Sequence, residues 1–179
     1  SSDLHELPCY SGAMETRESP PLRRGWTTGA CATAAVRAGL CALWGGAQLD
    51  EVQITLPKGE RPVFKIAHRE VTADWVEIGI TKDAGDDPDV THGALIIARV
   101  ARSLGGVRFH AGDGVGTITK AGLPIAVGEP AINPVPRQMM QAEVEELAVH
   151  YGQAPDIDIT IRIPGGRALA LKTWNPRLG

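Results

Sequence analysis

Hydrophobic residues recur along the chain with two different periods, and each period predicts its own type of secondary structure. Small apolar residues between Gly29 and Leu43 recur at helical spacing, and Gly45-Gly46 is expected to end that helix. A second helix is expected to start at Asn133-Pro134, because Asn caps helices and Pro suits the first turn. Its apolar face continues to Tyr151. The sequence therefore predicts two main helices.

Alternating and β-branched residues between these helices, and after the second one, predict short strands. The clearest is Ile157 to Ile163, where isoleucines alternate with polar residues. Further strands are predicted at 52–56, 63–66, 75–80, 107–110 and 115–119, and at 94–100, where Ala and Arg also permit a helix. After the turn Pro164-Gly165-Gly166, residues 168–173 are expected to return as a hairpin partner. The sum is an α+β domain with a mixed or mostly antiparallel sheet packed by two helices.

Length and composition favour one compact domain. The chain has 179 residues, and typical domains hold about 100–200. Residues 22–179 are expected to form this domain, whereas the acidic segment 1–21 has no apolar stretch and is predicted to be a disordered leader or a remnant of cloning. Aromatic residues make up only 4% of the chain, so the core must consist of Ala, Val, Ile and Leu. No apolar run reaches about 18 residues, so no membrane span is predicted.

The charge balance and the cysteines narrow the class of protein further. The net charge is −3, which argues against a nucleic-acid binder because such proteins carry a basic stripe. Cys31 and Cys41 are expected on one helix, several turns apart and too far for a disulfide. Free thiols fit a reducing cytoplasm, where we expect the protein to lie. The scattered Val and Ile residues do not separate core from interface, so an oligomer is compatible with the sequence.

The segment Arg23 to Gly29 leads directly into the first helix and is a candidate anion site. Free backbone N–H groups at a helix start attract anions, and the hydroxyls of Thr27 and Thr28 add donors. Arg23 and Arg24 can pair with carboxylates in bidentate geometry. The alternative is an ordinary N-cap by Thr27 or Thr28 beside two solvated arginines.

An acidic segment, Lys82 to Gly93, gathers four carboxylates and a histidine. Such clustering costs repulsion unless a cation, a base role or backbone N–H groups offset it. The segment does not fit an EF-hand, because Pro88 stands at the glycine position and Ala94 at that of the closing glutamate. Another kind of metal site and a capped surface loop both stay open.

Two further segments suit ligand binding. Between His110 and Lys120, glycines at alternate positions can expose backbone amides, although their spacing fits neither the dinucleotide nor the phosphate-loop fingerprint. A tight turn that needs glycine at positive φ explains the same pattern. The proline-rich segment Gly128 to Arg137 makes a rigid entry to the second helix, and a rigid loop places its side chains well.

Taken together, four segments in this order resemble the CbiD-type family of cobalt-precorrin-5B C(1)-methyltransferases. The first is Arg24 to Ala32, and the second is Lys82 to Gly93. The third runs from Gly112 through Pro124 and on from Gly128 to Arg137, and the fourth is Asn175 to Gly179. The resemblance covers Leu22 to Gly179, and four ordered motifs are far more specific than any one of them.

The resemblance implies S-adenosylmethionine-dependent methylation of ring carbon C(1) of cobalt-precorrin-5B, giving cobalt-precorrin-6A in cobalamin biosynthesis. It implies S-adenosylmethionine as co-substrate and cobalt only as part of the corrinoid substrate, with no separate protein metal. Family members continue beyond the Asn175 segment. The missing C-terminal half is therefore the expected partner of this chain and the expected site of much of the donor binding. The chain alone is then expected to be incomplete as an enzyme, and no nucleic-acid or membrane partner is expected.

On this basis we hypothesise roles for individual residues. Residues expected to bind the substrate or line its cleft are Arg24, Thr27, Thr28, Gly29, Lys82, Gly112, Asp113, Gly114, Gly116, Lys120, Glu129, Asn133 and Arg137. Candidates for a catalytic base, among which the sequence does not choose, are Asp86, Asp87, Asp89 and His92. Two other functions stay open: a corrinoid-binding module without chemistry of its own, and a metal-dependent hydrolase that uses the acidic segment.

Overall fold

The computed structural model describes residues 25–83, 93–117 and 128–164 of the chain. In chain order these residues form α1 (Thr28–Gly45), β1 (Glu51–Gln53), β2 (Val63–Lys65), β3 (His68–Val71), β4 (Trp75–Thr81), β5 (Leu95–Arg102), β6 (Val107–Ala111), α2 (Pro134–Tyr151) and β7 (Ile157–Arg162). The two predicted helices are confirmed, and the segment at 94–100 that permitted either structure is a strand. Among the described residues, no helix has both the length and the hydrophobicity that a bilayer span needs.

Five of the strands build one mixed sheet in the spatial order β3-β4-β5-β7-β6. Neighbouring strands are antiparallel, except that β6 and β7 are parallel. Helix α2 connects these two strands, since a parallel pair needs a long crossover. β1 and β2 form a separate antiparallel hairpin. The prediction of an α+β domain with a mixed or mostly antiparallel sheet is confirmed.

Helix α1 is enclosed on most of its surface, because its side chains are small. From Ala30 to Ala42 every residue except Arg37 is buried. The helix packs against β4 and β5, and also against α2. Small side chains let the helix axis approach both neighbours closely, and this explains how a helix rich in alanine becomes the centre of the core. It ends where the sequence predicts, with Gly46 as a left-handed C-cap.

The two faces of the sheet differ in chemistry. The face toward the helices carries alternate apolar residues of the central strands, among them Val76, Ile78, Ile96 and Ile159, which belong to the hydrophobic core. Burying one such side chain contributes roughly 1.5–3 kcal/mol. The opposite face is largely polar and includes Glu77, which is buried nonetheless.

Several strand predictions differ from the structure. β3 was not predicted, because it is a short edge strand whose residues are mostly polar. β1 and β2 are shorter than expected, at three residues each. The strand expected at 115–119 is wrong for its described part. There Thr117 makes one isolated bridge to Pro130, and the Val115 N–H donates to the Gly112 carbonyl in a turn.

Residues 168–173, expected to return as a hairpin partner of the last strand, lie outside the described residues, as does the expected leader. β7 pairs along its length with β5 on one side and with β6 on the other. β7 therefore has no free edge for a hairpin partner. Within the described sheet, only the edge strands β3 and β6 offer one.

Candidate functional site

The two threonines at the start of α1 are used differently. Thr27 occupies the N-cap position, where its Oγ1 accepts a hydrogen bond of 3.0 Å from the Ala30 N–H. The cap predicted for one of the two is thus confirmed for Thr27. Thr28 is the first helical residue and lines a pocket. Its hydroxyl makes no hydrogen bond within the described part of the chain, so it is available to a ligand.

The first and third of the four motif segments meet at one pocket of about 230 Å³, which we name the helix-start pocket. It lies where α1 and α2 begin and β7 ends. The pocket is lined by Thr28, Gly29, Ala32, Gly114, Val115, Gly116, Ala131, Ile132, Asn133, Pro136, Met140, Ile161 and Ile163. Residues also expected at the site but absent from this lining are Thr27, Lys82, Gly112, Asp113, Glu129 and Arg137. Segments far apart in sequence therefore share one cleft.

The glycines of these segments serve different purposes. An added Cβ would lie 2.6 Å from Pro136 at Gly29, and 2.9 Å from a β7 side chain at Gly112, so glycine permits close packing at both. Gly114 has a φ of 81°, as its turn requires. At Gly116 an added Cβ would meet no atom within 4 Å. Of Gly29, Gly112 and Gly116, only Gly116 has room for an added methyl group, and it lies at the pocket wall.

The loop that precedes α2 is held by Arg137. Its Nε donates to the Ile132 carbonyl at 2.8 Å and its Nη2 to the Pro130 carbonyl at 2.7 Å. Glu129 lies 3.5 Å from Nη1, and the Phe109 ring centroid lies 5.2 Å from the guanidinium carbon. The N–H donors of Arg137 are therefore engaged by neighbouring residues of this loop. The geometry gives Arg137 a part in positioning the loop, and its contact with substrate stays a prediction.

Asn133 stands at the N-cap of α2 with an extended backbone, but its side chain makes no capping hydrogen bond. A capping side chain bonds the N–H of the second or third helical residue, and the third is Pro136, which has none. The expected side-chain cap is therefore wrong. Asn133 instead lines the helix-start pocket.

None of the side chains that line the described part of this pocket is ionisable. Its polarity comes from the Thr28 hydroxyl, the Asn133 amide and backbone groups, on an otherwise apolar wall. Such a pocket can hold a carboxylate or a carbonyl by hydrogen bonds, but these residues provide no general base. Candidates that lie outside the described residues are Arg24, Asp86, Asp87, Asp89, His92 and Lys120.

The acidic segment from Lys82 to Gly93 starts beside the N-terminus of α1. The Trp26 N–H donates to the Asp83 carbonyl at 2.9 Å, and Lys82 is buried, with backbone bonds that join the two ends of the segment. Burial raises the pKa of the Cys31 thiol to about 11, against the opposing effect of the Lys82 charge. Cys31 and Cys41 are free, as predicted. The Cys31 thiol is protonated at neutral pH and is therefore a poor nucleophile.

A charged cluster that the sequence did not reveal lies on the opposite face of the sheet. Glu77, 1% exposed, accepts hydrogen bonds from Arg162 at 2.8 Å, His68 at 3.0 Å and Arg99 at 3.2 Å. Arg99 also lies 3.7 Å above the centroid of the Trp75 ring. Burial would raise the pKa of Glu77, but the hydrogen bonds from Arg162, His68 and Arg99 outweigh it and lower the pKa to about 2. We name these four residues, Glu77, His68, Arg99 and Arg162, the Glu77 cluster.

Strand pairing assembles this cluster. Glu77 lies opposite Arg99 across β4 and β5, and Arg162 lies opposite Ile97 across β5 and β7. A signal was present in the sequence, since Glu77 interrupts an otherwise apolar strand. Its partners could not be named from that signal, because the order of strands in the sheet is set by tertiary packing.

Side chains of His68, Glu70 and Glu77 also place possible metal ligands within 4.8 Å of one another. Both carboxylate oxygens of Glu77, however, already accept hydrogen bonds from guanidinium groups. The positive charge of these groups opposes a bound cation. The arrangement favours an ion-pair network over a metal centre.

A second cleft, of about 380 Å³, lies between the two helices and the β1–β2 hairpin. On its wall Arg37 of α1 donates to Glu143 of α2 at 2.5 Å and lies 3.4 Å from Glu146. Burial raises the pKa of Glu143, and the bond from Arg37 opposes that rise only in part. The charges of this cleft thus bind one helix to the other.

The fold and the helix-start pocket define an α+β domain that places a neutral cleft where two helices begin. The family model described as CbiD matches residues 15–179, and the chain belongs to the CbiD family. The resemblance found in the motifs is thereby confirmed.

Relatives with assigned names agree with this membership. The cobalt-precorrin-5B C(1)-methyltransferase of Burkholderia cenocepacia is 60% identical over 167 residues, which are 92% of this chain and 46% of that protein. The protein of the same name from Paramagnetospirillum magneticum is 56% identical over 160 residues, or 88% and 45%. A 1.9 Å crystal structure of cobalamin biosynthesis protein CbiD from Archaeoglobus fulgidus aligns with a TM-score of 0.67 at 25% identity, over 90% of this chain and 51% of that one. The chain thus spans about half the length of the relatives it matches.

Proposed function

We propose that this chain is the N-terminal part of an enzyme that methylates ring carbon C(1) of cobalt-precorrin-5B. S-adenosylmethionine is the methyl donor, and the product is cobalt-precorrin-6A in cobalamin biosynthesis. The names of the relatives support this activity. The observation that supports a part for this chain is the helix-start pocket, because two motif segments meet there. A cytoplasmic location stays a prediction.

Methyl transfer from a sulfonium demands positioning more than reactive side chains. The bond from sulfur to the methyl carbon breaks as the bond to ring carbon C(1) forms, and sulfur keeps the electron pair and leaves in S-adenosylhomocysteine. The substrate carbon is the nucleophile, so no nucleophilic Ser or Cys is required. The protein must hold both partners in line and exclude water. Cobalt belongs to the substrate in this scheme, so the protein needs no metal ligands of its own.

The helix-start pocket holds only a part of such a substrate. Its volume is about 230 Å³, whereas clefts for drug-sized ligands measure roughly 300–1,000 Å³. It fits one acetate or propionate arm of the macrocycle, with Thr28, Asn133 and the first N–H groups of α1 as donors. The remainder of the ring then lies outside this pocket. The acidic segment and the second half of the full-length protein complete the site in this proposal.

Calorimetric titration of the 179-residue chain with S-adenosylhomocysteine and, separately, with a cobalt-corrinoid intermediate tests this division. We expect binding of the corrinoid and no binding of S-adenosylhomocysteine. Donor binding by this chain would move the donor site to the glycine-rich segment and refute the division. Divalent-ion binding that Asp86→Ala and Asp89→Ala abolish would point to the metal-dependent hydrolase, which the relatives' names do not support.

The role of Thr28 can be separated from that of Thr27 by one substitution at each. Thr28→Val keeps the side-chain shape and removes a hydroxyl that lines the pocket. One lost hydrogen bond is expected to weaken corrinoid binding about two- to tenfold while leaving the free energy of unfolding nearly unchanged. The matched control Thr27→Ala removes the N-cap and is expected to cost about 1 kcal/mol of stability. Unchanged affinity of the Thr28→Val chain would eliminate the proposed contact.

A further inference from the structure

A groove of about 580 Å³ lies along β6, next to the helix-start pocket. A short bridge between two loops separates these two cavities. In it Thr117 pairs with Pro130, and the Ala131 N–H donates to the Gly116 carbonyl at 2.8 Å. Gly116 and Ala131 line the pocket, whereas their chain neighbours Thr117 and Pro130 line the groove. The wall between the two cavities is therefore one layer of backbone thick.

The groove differs from the helix-start pocket in that charged side chains line it. The ionisable residues of its lining are Arg108, His110, Glu129 and Arg137. Glu129 lies 3.5 Å from the Arg137 guanidinium. The Nε2 atom of His110 lies 3.1 Å from a carboxylate oxygen of Asp158, which neighbours the groove on β7. Three of these ionisable side chains are therefore engaged with a neighbouring group, and Arg108 is not among them.

Arg108 supplies the positive charge of the groove that its surroundings do not neutralise. It is exposed and lies directly opposite Asp158 across β6 and β7, but the hydrogen-bond partner of that carboxylate is His110. Within the described part of the chain, the Arg108 guanidinium makes no hydrogen bond or ion pair. Its N–H groups form a planar fork that matches the two oxygens of a carboxylate. The groove thus offers an anionic ligand a cation with no protein partner to displace.

We propose that the groove binds a second carboxylate arm of the macrocycle whose first arm enters the helix-start pocket, and that Arg108 pairs with this second arm. The inference rests on the proposed function. Acetate and propionate arms project from around the ring, so a macrocycle that lies across the bridge presents arms to both cavities. Together the cavities reach the size of clefts that hold whole ligands, roughly 300–1,000 Å³, which the pocket alone does not.

The two cavities hold their carboxylates by different interactions. In the helix-start pocket, Thr28, Asn133 and backbone N–H groups donate neutral hydrogen bonds, whereas in the groove Arg108 supplies a full positive charge. Dissolved salt screens the attraction between exposed charges that meet at such a site. A hydrogen bond from a neutral donor depends much less on salt. The groove contact therefore has a salt dependence that the pocket contact lacks, and the two can be measured separately.

Calorimetric titration of the 179-residue chain with a cobalt corrinoid that carries free carboxylate arms tests the groove. Arg108→Gln removes the positive charge and keeps a long polar side chain at an exposed position. We expect it to weaken corrinoid binding about two- to fivefold at low ionic strength. The difference between the two chains should shrink at about 0.5 M salt, because the lost contact is a screened ion pair. Urea unfolding should show nearly unchanged stability.

Lys65→Gln is the matched control, because it removes one positive charge from an exposed position on the separate β1–β2 hairpin. It is expected to leave corrinoid affinity unchanged. Equal losses in the two variants, or unchanged affinity of the Arg108→Gln chain, would overturn the groove contact. Neither result would affect the pocket contact, which Thr28→Val tests by itself. Absence of corrinoid binding by the unaltered chain would instead refute the proposed function, and the groove contact with it.

Discussion

The helix-start pocket and the Glu77 cluster lie on opposite sides of one sheet, and they differ in how many charged side chains they contain. The Glu77 cluster contains a buried carboxylate, two guanidinium groups and an imidazole, yet these groups satisfy one another. The pocket contains no ionisable side chain among its described lining residues, yet the Thr28 hydroxyl and the backbone at Gly116 face open space. A concentration of charge thus marks a structural network here, whereas the polar groups that stay unengaged lie in the pocket that we propose as the binding site.

Glu77→Gln should produce the largest effect, and it should act on stability alone. The substitution leaves two guanidinium groups beside a neutral amide, whose NH2 group replaces one of the two acceptor oxygens and accepts from neither guanidinium. Removing one partner of a buried ion pair costs about 3–5 kcal/mol. We expect the low end, about 3 kcal/mol, because Arg99 and Arg162 are 41% and 33% exposed and can turn partly to water. Urea unfolding measures the change.

Glu70→Gln is the matched control on the neighbouring strand. Glu70 lies opposite Glu77 across β3 and β4 but is exposed, so its loss should change the free energy of unfolding by less than about 0.5 kcal/mol. Both variants should bind the corrinoid with unchanged affinity at a temperature where they are folded. A loss of binding in the folded Glu77→Gln chain would show that the two sides of the sheet are not separate in function.

The second largest effect should come from acid, which protonates Glu77 and should lower the free energy of unfolding somewhat less than Glu77→Gln does. The folded state lowers the pKa of Glu77 from 4.5 to about 2, so its contribution is complete above the unfolded pKa and is lost as the pH falls toward 2. Linkage gives a loss of about 2 kcal/mol between about pH 6 and pH 3. Glu143, whose pKa burial raises, acts in the opposite direction. The difference between the unaltered and the Glu77→Gln chains therefore isolates Glu77, and parallel pH curves for the two would contradict its lowered pKa.

The sequence predicted those elements whose pattern is local. Both helices, the alternating strand at Ile157 and the capping by Thr27 follow from residues within a few positions of one another. Strand β3 was not predicted, because an edge strand needs no apolar face of its own and therefore shows no alternating pattern. The side-chain cap expected of Asn133 is absent, and Pro136 at the third helical position removes one of the two N–H groups that such a cap bonds.

The lining of the helix-start pocket was predictable as a set of segments but not as a geometry. The motifs named Thr28, Gly29, Gly116 and Asn133 together, and the structure places all four on one pocket. Patterns could not show that Arg137 turns its donors to the Pro130 loop, because that choice depends on a fold in three dimensions. The same holds for the Glu77 cluster, which exists only once β7 is inserted between β5 and β6.

The smallest expected effect separates two glycines of the pocket, Gly29 and Gly116. A methyl group at Gly29 would lie 2.6 Å from the Pro136 ring, and the resulting overpacking costs typically 1–3 kcal/mol. Helix propensity returns up to about 1 kcal/mol, so Gly29→Ala should destabilise the chain by about 1 kcal/mol overall. Thermal or urea unfolding detects such a change.

Gly116→Ala should instead weaken corrinoid binding and leave the stability of the chain nearly unchanged. An added methyl group meets no atom within 4 Å there, so the free energy of unfolding should change by less than about 0.5 kcal/mol. The same methyl group narrows the wall of a pocket of about 230 Å³, and corrinoid affinity measured by calorimetry should fall several-fold, as expected of about 1 kcal/mol. If Gly116→Ala binds the corrinoid as the unaltered chain does, the ligand does not approach this wall, and the open space at Gly116 belongs to solvent and not to the site.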